Sequence, residues 1–322
     1  MMRMAPAQFN GSRSLMRCAN RCFAMIAAST LTSAVCAQNL PEPPSASTVK
    51  QALVREAPAE KPLRIVLLAD KKDHGPAGNG KHDYPLWQKR WALLLGGRAA
   101  SDAQQVNLHG AAIGGTENFS GSPLVSVDQA WEWPTEQQFA QSDVIVAFCY
   151  INWSPERKRR VREYLAGGGG LVLIHSATWV KPKADREVAE IVGIGGFSKY
   201  RHGLLPINID ESAHPICRNL PPKIVLYDEP YWPPLMTAES DRVQILGCSL
   251  ESSGEFGIHE NQPQFWSSTF DKGRVFGCVP GHFSWSFDDP WFRLLLLRGI
   301  AWCGGGSPYR LDDLALRGAR VQ

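Results

Sequence analysis

The chain has 322 residues, of which 44% are apolar, 20% charged and 10% aromatic, the balance of a folded protein and not of a disordered or fibrous one. Its formal charge of +3 comes from the first 37 residues, where Arg3, Arg13, Arg17 and Arg21 meet no acid; without them 30 basic residues stand against 31 acidic ones, a net of −1. That balance lacks the basic excess of a nucleic-acid binder, so no nucleic-acid partner is expected.

Arg17 and Arg21 precede the apolar run Cys22 to Leu31, which ends in Ser33-Ala34-Val35-Cys36-Ala37 before Gln38. Basic, hydrophobic and small-residue regions in that order read as a signal peptide over residues 1–37, cut between Ala37 and Gln38. The run falls short of the ~20 residues that span a bilayer, and no later segment reaches that length. The expectation is a periplasmic or secreted protein without membrane association once the leader is removed. Cys149, Cys217, Cys248, Cys278 and Cys303 remain after cleavage, an odd set without C-x-x-C spacing. They are expected to be small buried apolar residues, with a disulfide left open for any of them.

Residues 38–62, rich in Pro, Ala, Ser and Glu, read as a linker. Folding is expected to begin at Leu63. Leu63 to Ala69 reads as a buried strand, and Tyr84 to Leu95, with Trp87, Trp91 and Leu94 or Leu95 at helical spacing behind Pro85, as a helix. Val106 to His109 is expected to be a short second strand and Asp143 to Phe148 a third, followed by a helix over Pro155 to Ala166 that Gly167 to Gly170 stops before a fourth strand, Leu171 to Ile174. Continuous apolar strands separated by helices imply a doubly wound α/β domain, a mostly parallel sheet with helices on both faces. The second half is more strand-rich, with Pro206 to Ile209, Ile224 to Leu226, Val243 to Cys248 and Arg274 to Val279, and it closes with a helix from Pro290 to Trp302 capped by Asp288 or Asp289. A single domain over residues 63–305 and a C-terminal tail over 306–322 follow.

In open α/β sheets ligands bind beyond the carboxyl ends of the strands. The residues there are Asp70, Asp73, His74, His82 and Asp83 after the first strand; Tyr150, Asn152 and Trp153 after the third; His175, Ser176 and Trp179 after the fourth; and Gly281, His282 and Trp285 after Arg274 to Val279. His74, His175 and His282 thus share one predicted rim. Imidazoles can ligate a metal or act as acid or base near neutral pH, and Asp73, Asp83 or Glu229 could complete either arrangement. The spacing matches no compact metal motif, so the metal is unknown and a bound divalent ion stays an open alternative. Other motifs give less: Gly167 to Gly170 precedes its strand, where its amides cannot form a phosphate loop, Gly78-Asn79-Gly80 lacks the dinucleotide fingerprint, and Ser176 stands in His175-Ser176-Ala177-Thr178, not G-x-S-x-G.

Eleven tryptophans is a high count, and aromatic faces suit the C–H faces of sugars. Trp87, Trp91 and Trp302 sit at helical positions and are expected in the core, whereas Trp131 and Trp133 close a long polar segment from Gly110 and are expected to form a lid or subsite wall.

Gly168 to Ala177, His214-Pro215-Ile216, Asp228-Glu229-Pro230-Tyr231, Gly273-Arg274-Val275-Phe276 leading to Gly281-His282, and Trp291 to Trp302 occur in an order that resembles the ThuA-like family, named for trehalose utilisation. Asp73-His74-Gly75-Pro76 and His82-Asp83-Tyr84-Pro85-Leu86-Trp87 resemble its exported members. The resemblance spans about residues 63–305 and implies a fold similar to class I glutamine amidotransferases, related to the flavodoxin-like arrangement. It does not imply their chemistry: His175 stands where those enzymes carry the nucleophilic Cys, so no glutamine amidotransferase activity is expected, while His282 is similar in place to their catalytic His. It also implies a role in carbohydrate catabolism, including 3-keto derivatives of disaccharides.

The expected partner is a small-molecule carbohydrate, and oligomeric state is not legible. His175, His282 and Glu229 are the expected catalytic residues, with His74, His82, Asp83, Asn152, Trp153, Trp179, Tyr231 and Trp285 lining the substrate site. Asp73, His74 and Glu229 are expected nearer the cleft than His202 or His259. The competing expectation is a non-catalytic carbohydrate-binding module built on Trp131, Trp133 and Trp285.

Overall fold

Leu63–Ala69 forms a strand in the computed structural model, with every residue but Arg64 buried. The structure describes residues 40–56, 61–96, 105–114, 121–210, 212, 214–252 and 257–322; the expected leader and its cleavage point lie outside them. In chain order the elements are α1 (Ala46–Ala52), β1 (Leu63–Ala69), α2 (Tyr84–Gly96), β2 (Val125–Trp131), α3 (Glu136–Gln141), β3 (Val144–Phe148), α4 (Pro155–Ala166), β4 (Gly170–Ile174), α5 (Arg186–Val192), β5 (Ile194–Tyr200), β6 (Gly203–Ile209), β7 (Lys223–Asp228), β8 (Tyr231–Met236), β9 (Val243–Ser252), β10 (His259–Phe270), β11 (Gly273–Cys278) and α6 (Pro290–Cys303). Among the described residues no helix is long and apolar enough to cross a membrane.

Nine strands make one sheet in the order β2-β1-β3-β4-β11-β10-β9-β6-β7. The first five are parallel, and their order, counted along the chain, is the 2-1-3-4-5 of flavodoxin-like folds. β3 and β4 are buried at every position, as central parallel strands covered by helices on both faces must be. The remaining strands run antiparallel. In β6 and β7 burial alternates along the strand, the pattern of a sheet with one face in solvent. β5 and β8 form a separate antiparallel ribbon.

Four expectations change. The second strand is Val125–Trp131 and not Val106 to His109; Val106 and Leu108 are buried, but the amides of Leu108 and His109 donate to the Asp288 carboxylate, each at 2.8 Å, instead of to a strand neighbour. The long segment from Gly110 to Trp133 therefore contains an edge strand rather than a lid. The stretch read as a linker carries α1, whose Val49 and Ala52 are buried in the main core, and the tail after residue 305 supplies Leu311, Leu314 and Ala315 to that same core. Of the described cysteines Cys149, Cys248, Cys278 and Cys303 are free thiols; these are buried, as is Cys217, except for Cys248, which is half-buried.

α6 runs through the interior, with every residue but Trp302 buried. Asp289 caps it through the amides of Trp291 and Phe292, and Pro290 occupies its first turn. Phe287, just before it, touches Trp87 and Trp91 of α2 and Phe148 of β3. Helix and sheet are thereby locked together immediately beneath the strand ends where the histidines gather.

Candidate functional site

The parallel strands deliver their trailing residues to one edge. His175 follows β4 directly, with φ +48°. Its Nδ1 lies 2.7 Å from the Val279 carbonyl just beyond β11; a carbonyl only accepts, so Nδ1 carries a hydrogen, which in the neutral ring leaves a lone pair on Nε2. His82, at φ +43°, ends the loop that follows β1. That loop docks on the segment after β11, the His82 amide donating to the His282 carbonyl and the Ser284 amide to that of Gly80. Non-glycine residues in the left-handed region are uncommon, and they cluster at functional sites.

The antiparallel half supplies the rest. The end of β7 curls back to the end of β11, and Asp228 clasps them: its carboxylate accepts the amides of Glu229, Gly281 and His282 at 2.7, 3.1 and 3.0 Å, and the Ser286 hydroxyl. Gly281, at φ +133°, lets the chain pass close to His175, whose Cβ would lie 3.2 Å from any side chain placed there. Glu229 and His282 are thereby set side by side.

At the centre four residues touch. His175 Nε2 lies 2.8 Å from His82 Nε2, 2.9 Å from the Tyr231 hydroxyl and 3.1 Å from Glu229 Oε2. Glu229 Oε2 also lies 2.8 Å from His282 Nδ1, while Glu229 Oε1 meets His202 Nε2 at 3.1 Å. His82 Nδ1 is 2.6 Å from the Asp73 carboxylate. The donor atoms of His82, His175, Glu229 and His282 all fall within 4.8 Å of one another, the spread of a metal-ligand set. A second group, Asp73, His74 and His82, shares His82 and is more exposed.

Burial dominates the electrostatics. It pushes His82 down to about 3, against the opposing pull of Asp73, with His175 and His282 adding to the depression. His282 is also lowered by burial despite its bond to Glu229. Burial would raise Glu229, but the imidazoles of His175 and His282 beside it hold it well below the usual carboxylate range. Tyr231 is raised by burial and by Glu229 and keeps its proton.

A cleft of about 420 Å³ opens over this cluster, within the size range of small-ligand pockets. His74, His82, Glu229 and His282 line it, with Tyr150, Trp179, Tyr200, His202 and Tyr231 around them. A concavity of similar size lies by Arg64, Asp143 and Tyr164, but Arg64 and Asp143 pair with each other there, at 2.6 Å, and no histidine reaches it.

The structure thus gathers His74, His82, Trp179, Glu229, Tyr231 and His282 at the cleft, with His175 fully buried just behind its lining. The rings of His175 and His282 are 5.4 Å apart. Other expected residues lie elsewhere. Asp83 accepts the Gly78 amide and its carbonyl accepts the amide of Trp87 in α2. Asn152 is exposed ahead of α4 and Trp153 is buried in the core. Trp285 stacks on Phe283 at 4.3 Å and donates to the Tyr227 carbonyl. Trp133 packs on Phe139 and under Arg157, and neither it nor Trp131 lines the cleft. His202, expected to stand further off, is a wall of the cleft and a partner of Glu229; His259 is exposed and away from it. Tyr150 and Tyr200 were not singled out as lining residues; the aromatic at the end of a central strand was the available signal for Tyr150.

No curated protein matches the chain. Among solved structures, a ThuA-like protein from Bacteroides uniformis aligns with a TM-score of 0.55 at 16% identity, over 80% of this chain and 99% of its own. One from Parabacteroides merdae aligns at 0.52 and 19%, over 77% and 91%. At those identities the likeness is one of fold. The sequence of residues 111–303, well over half the chain, matches the ThuA family, described as trehalose utilisation. The glycine-flanked β4, the clasp at Asp228-Glu229 and the Gly281-His282 corner all fall within that stretch, and the chain belongs to the ThuA family, with the carbohydrate-related role its description carries.

Proposed function

We propose that the cleft takes a sugar or an oxidised sugar, a disaccharide or its 3-keto derivative, and that the Glu229–His282 pair moves the proton beside the sugar carbonyl. The observation that carries this is the dyad itself: Glu229 Oε2 accepts from His282 Nδ1 at 2.8 Å, which leaves the lone pair of the neutral ring on Nε2 of a residue that lines the cleft. A carboxylate-oriented imidazole is the usual form of a general base. The C–H beside a ketone is acidic because the carbanion it leaves is spread onto oxygen. When His282 takes that proton, the freed pair forms a carbon–carbon double bond, the bond from the next carbon to the glycosidic oxygen breaks, and the proton goes to the departing oxygen. The elimination balances without a co-reactant.

Tyr231, with its retained proton, is positioned to steady the enediolate region, and His175, behind the lining, is not placed to take the proton. Trp179 and Tyr200 offer faces to the sugar ring. A binding module would rest on exposed tryptophan platforms; Trp131 is exposed but stands off the cleft, Trp133 and Trp285 are packed against protein, and such a module gives no account of the buried imidazoles.

The test is turnover of a panel of disaccharides and their 3-keto forms. His282→Ala should lower kcat by about 10²- to 10⁴-fold with its thermal unfolding unchanged, and Trp179→Ala should chiefly raise KM. A folded His282→Ala protein with full turnover, or glycan binding without turnover of any sugar, overturns the reading.

A further inference from the structure

At the heart of the cluster two nitrogen lone pairs point at each other. His175 Nδ1 is committed to a carbonyl and His82 Nδ1 to a carboxylate, 2.7 and 2.6 Å away, so the neutral rings present two unprotonated Nε2 atoms, and these stand 2.8 Å apart. Glu229 Oε2, also an acceptor, is 3.1 Å from His175 Nε2. The Tyr231 hydroxyl has one hydrogen to give and lies 2.9 Å from His175 Nε2 and 3.2 Å from Glu229 Oε2. Three acceptors at such separations, buried, need a positive centre among them. A proton on either ring would place an imidazolium among imidazoles, the rings of His74, His175 and His282 lying 4.4, 4.7 and 4.4 Å from that of His82 and the ring of His282 5.4 Å from that of His175.

We infer that His82 Nε2, His175 Nε2 and Glu229 Oε2 bind a divalent first-row transition-metal ion, with Asp73 and the Val279 carbonyl orienting the two imidazoles. The separations select the geometry. With metal–ligand bonds of about 2.0–2.1 Å, neighbouring ligands of a six-coordinate ion lie about 2.8–3.0 Å apart, while those of a tetrahedral ion lie about 3.3–3.4 Å apart. The observed 2.8 Å between the two nitrogens fits the six-coordinate case, and the 3.1 Å from His175 Nε2 to Glu229 Oε2 lies closer to it than to the tetrahedral one. Two histidines and one carboxylate on one face, with the other positions open, is an arrangement that suits such ions. Each imidazole has an anchored second nitrogen, as metal-bound histidines almost always do. Mg²⁺ and Ca²⁺ prefer all-oxygen sites and are excluded by the donor set.

Because His82 and Glu229 line the cleft and His175 lies behind it, the open positions face the cleft. They suit two neighbouring oxygens, a carbonyl and the adjacent hydroxyl or its enediolate. This substrate clause rests on the sugar reading above, whereas the metal site stands without it. His282 has a separate part: its Nδ1 donates to the ligating oxygen of Glu229 and leaves its ring to the substrate.

The experiment is calorimetric titration of the full chain, stripped by chelator and checked by circular dichroism, with Zn²⁺, Mn²⁺ and Co²⁺. One ion should bind per chain. His82→Asn and His175→Asn should weaken binding by at least about 100-fold and Asp73→Asn by about 10- to 100-fold; Asn is chosen because it tolerates the left-handed backbone of both positions and is too short to reach the ion. His282→Ala should bind within a few-fold of the wild type. A folded wild-type chain that binds all three ions no more tightly than the His82→Asn/His175→Asn double variant overturns the site. Loss in His282→Ala as large as in His175→Asn overturns the division between ligand and base. Should the Asn variants fail to fold, Asp73→Asn decides, since unchanged affinity there contradicts an anchored His82. A chain that binds the ion but turns over no sugar refutes only the earlier reading.

Discussion

Asp228 never reaches the cleft, yet three backbone amides and the Ser286 hydroxyl converge on its carboxylate. It fixes Glu229 and His282 by their main chains, so it is a positioning residue. Asp228→Asn keeps the shape but offers an NH₂ to groups that all donate. Each lost bond to a buried carboxylate is worth about 1.5–3 kcal/mol, and the variant should show a denaturant midpoint lowered by that order with an unchanged slope. It should also lose kcat more than KM, because the Glu229–His282 geometry loosens; equal stability with equal turnover would show that the clasp does not position the pair. Residues like this explain what the sequence shows and hides. His175 and His282 were legible because each directly follows a parallel strand, and Glu229 because it stands in a recognisable block. His202 was not, since it sits in the two-residue turn between β5 and β6 and β5 was itself unread.

Elements were legible where one physical signal dominated. β3 and β4 are unbroken apolar runs, β1 is one but for the exposed Arg64, and α6 carries both its Asp cap and its first-turn Pro. β5 was hidden by Gly195 and Gly196, of which Gly195 has room for no Cβ, the Asp185 carbonyl lying 2.1 Å from where one would be. β8 contains Pro233 and Pro234, which argue against a strand but are tolerated in a two-stranded ribbon. β10 is largely polar, and its Pro263 falls where the register with β9 shifts. α3 left a sign that went unused, the capping box of Thr135 and Gln138. Within α6, Arg298 is fully buried and reaches Asp312 at 2.8 Å and the carbonyls of Ile216, Arg218 and Ala52, tying α1 and the tail to the central helix. Arg298→Met strands the Asp312 charge in the interior and should cost about 3–5 kcal/mol. Pairing it with Asp312→Leu should recover most of that loss; an additive double variant would mean the two groups do not act as a pair.

Across the whole molecule, the curl that returns β7 to the end of β11 means that neither half of the sheet holds a complete site. His82 and His175 come from the parallel half, Glu229, Tyr231 and His202 from the antiparallel one. The contacts that finish the cluster therefore join residues far apart along the chain, 56 across the two halves at His175–Tyr231 and 93 within the parallel half at His82–His175. Chain closure over such separations comes late, because its entropy must be met before the contact returns anything. A ligand that needs all of these groups has nothing to grip in the folding transition state. Occupancy should then leave the refolding rate alone and slow the escape from the native state, since interactions absent from the barrier act on unfolding. Stopped-flow rates with and without Co²⁺ separate the cases, and a faster refolding limb with an unaltered unfolding limb would place the clasp early instead. If the unfolding limb is the one that moves, bound ligand governs how long the protein persists rather than how quickly it forms, and persistence is what sets the lifetime of any protein exposed to proteases that act on whatever opens.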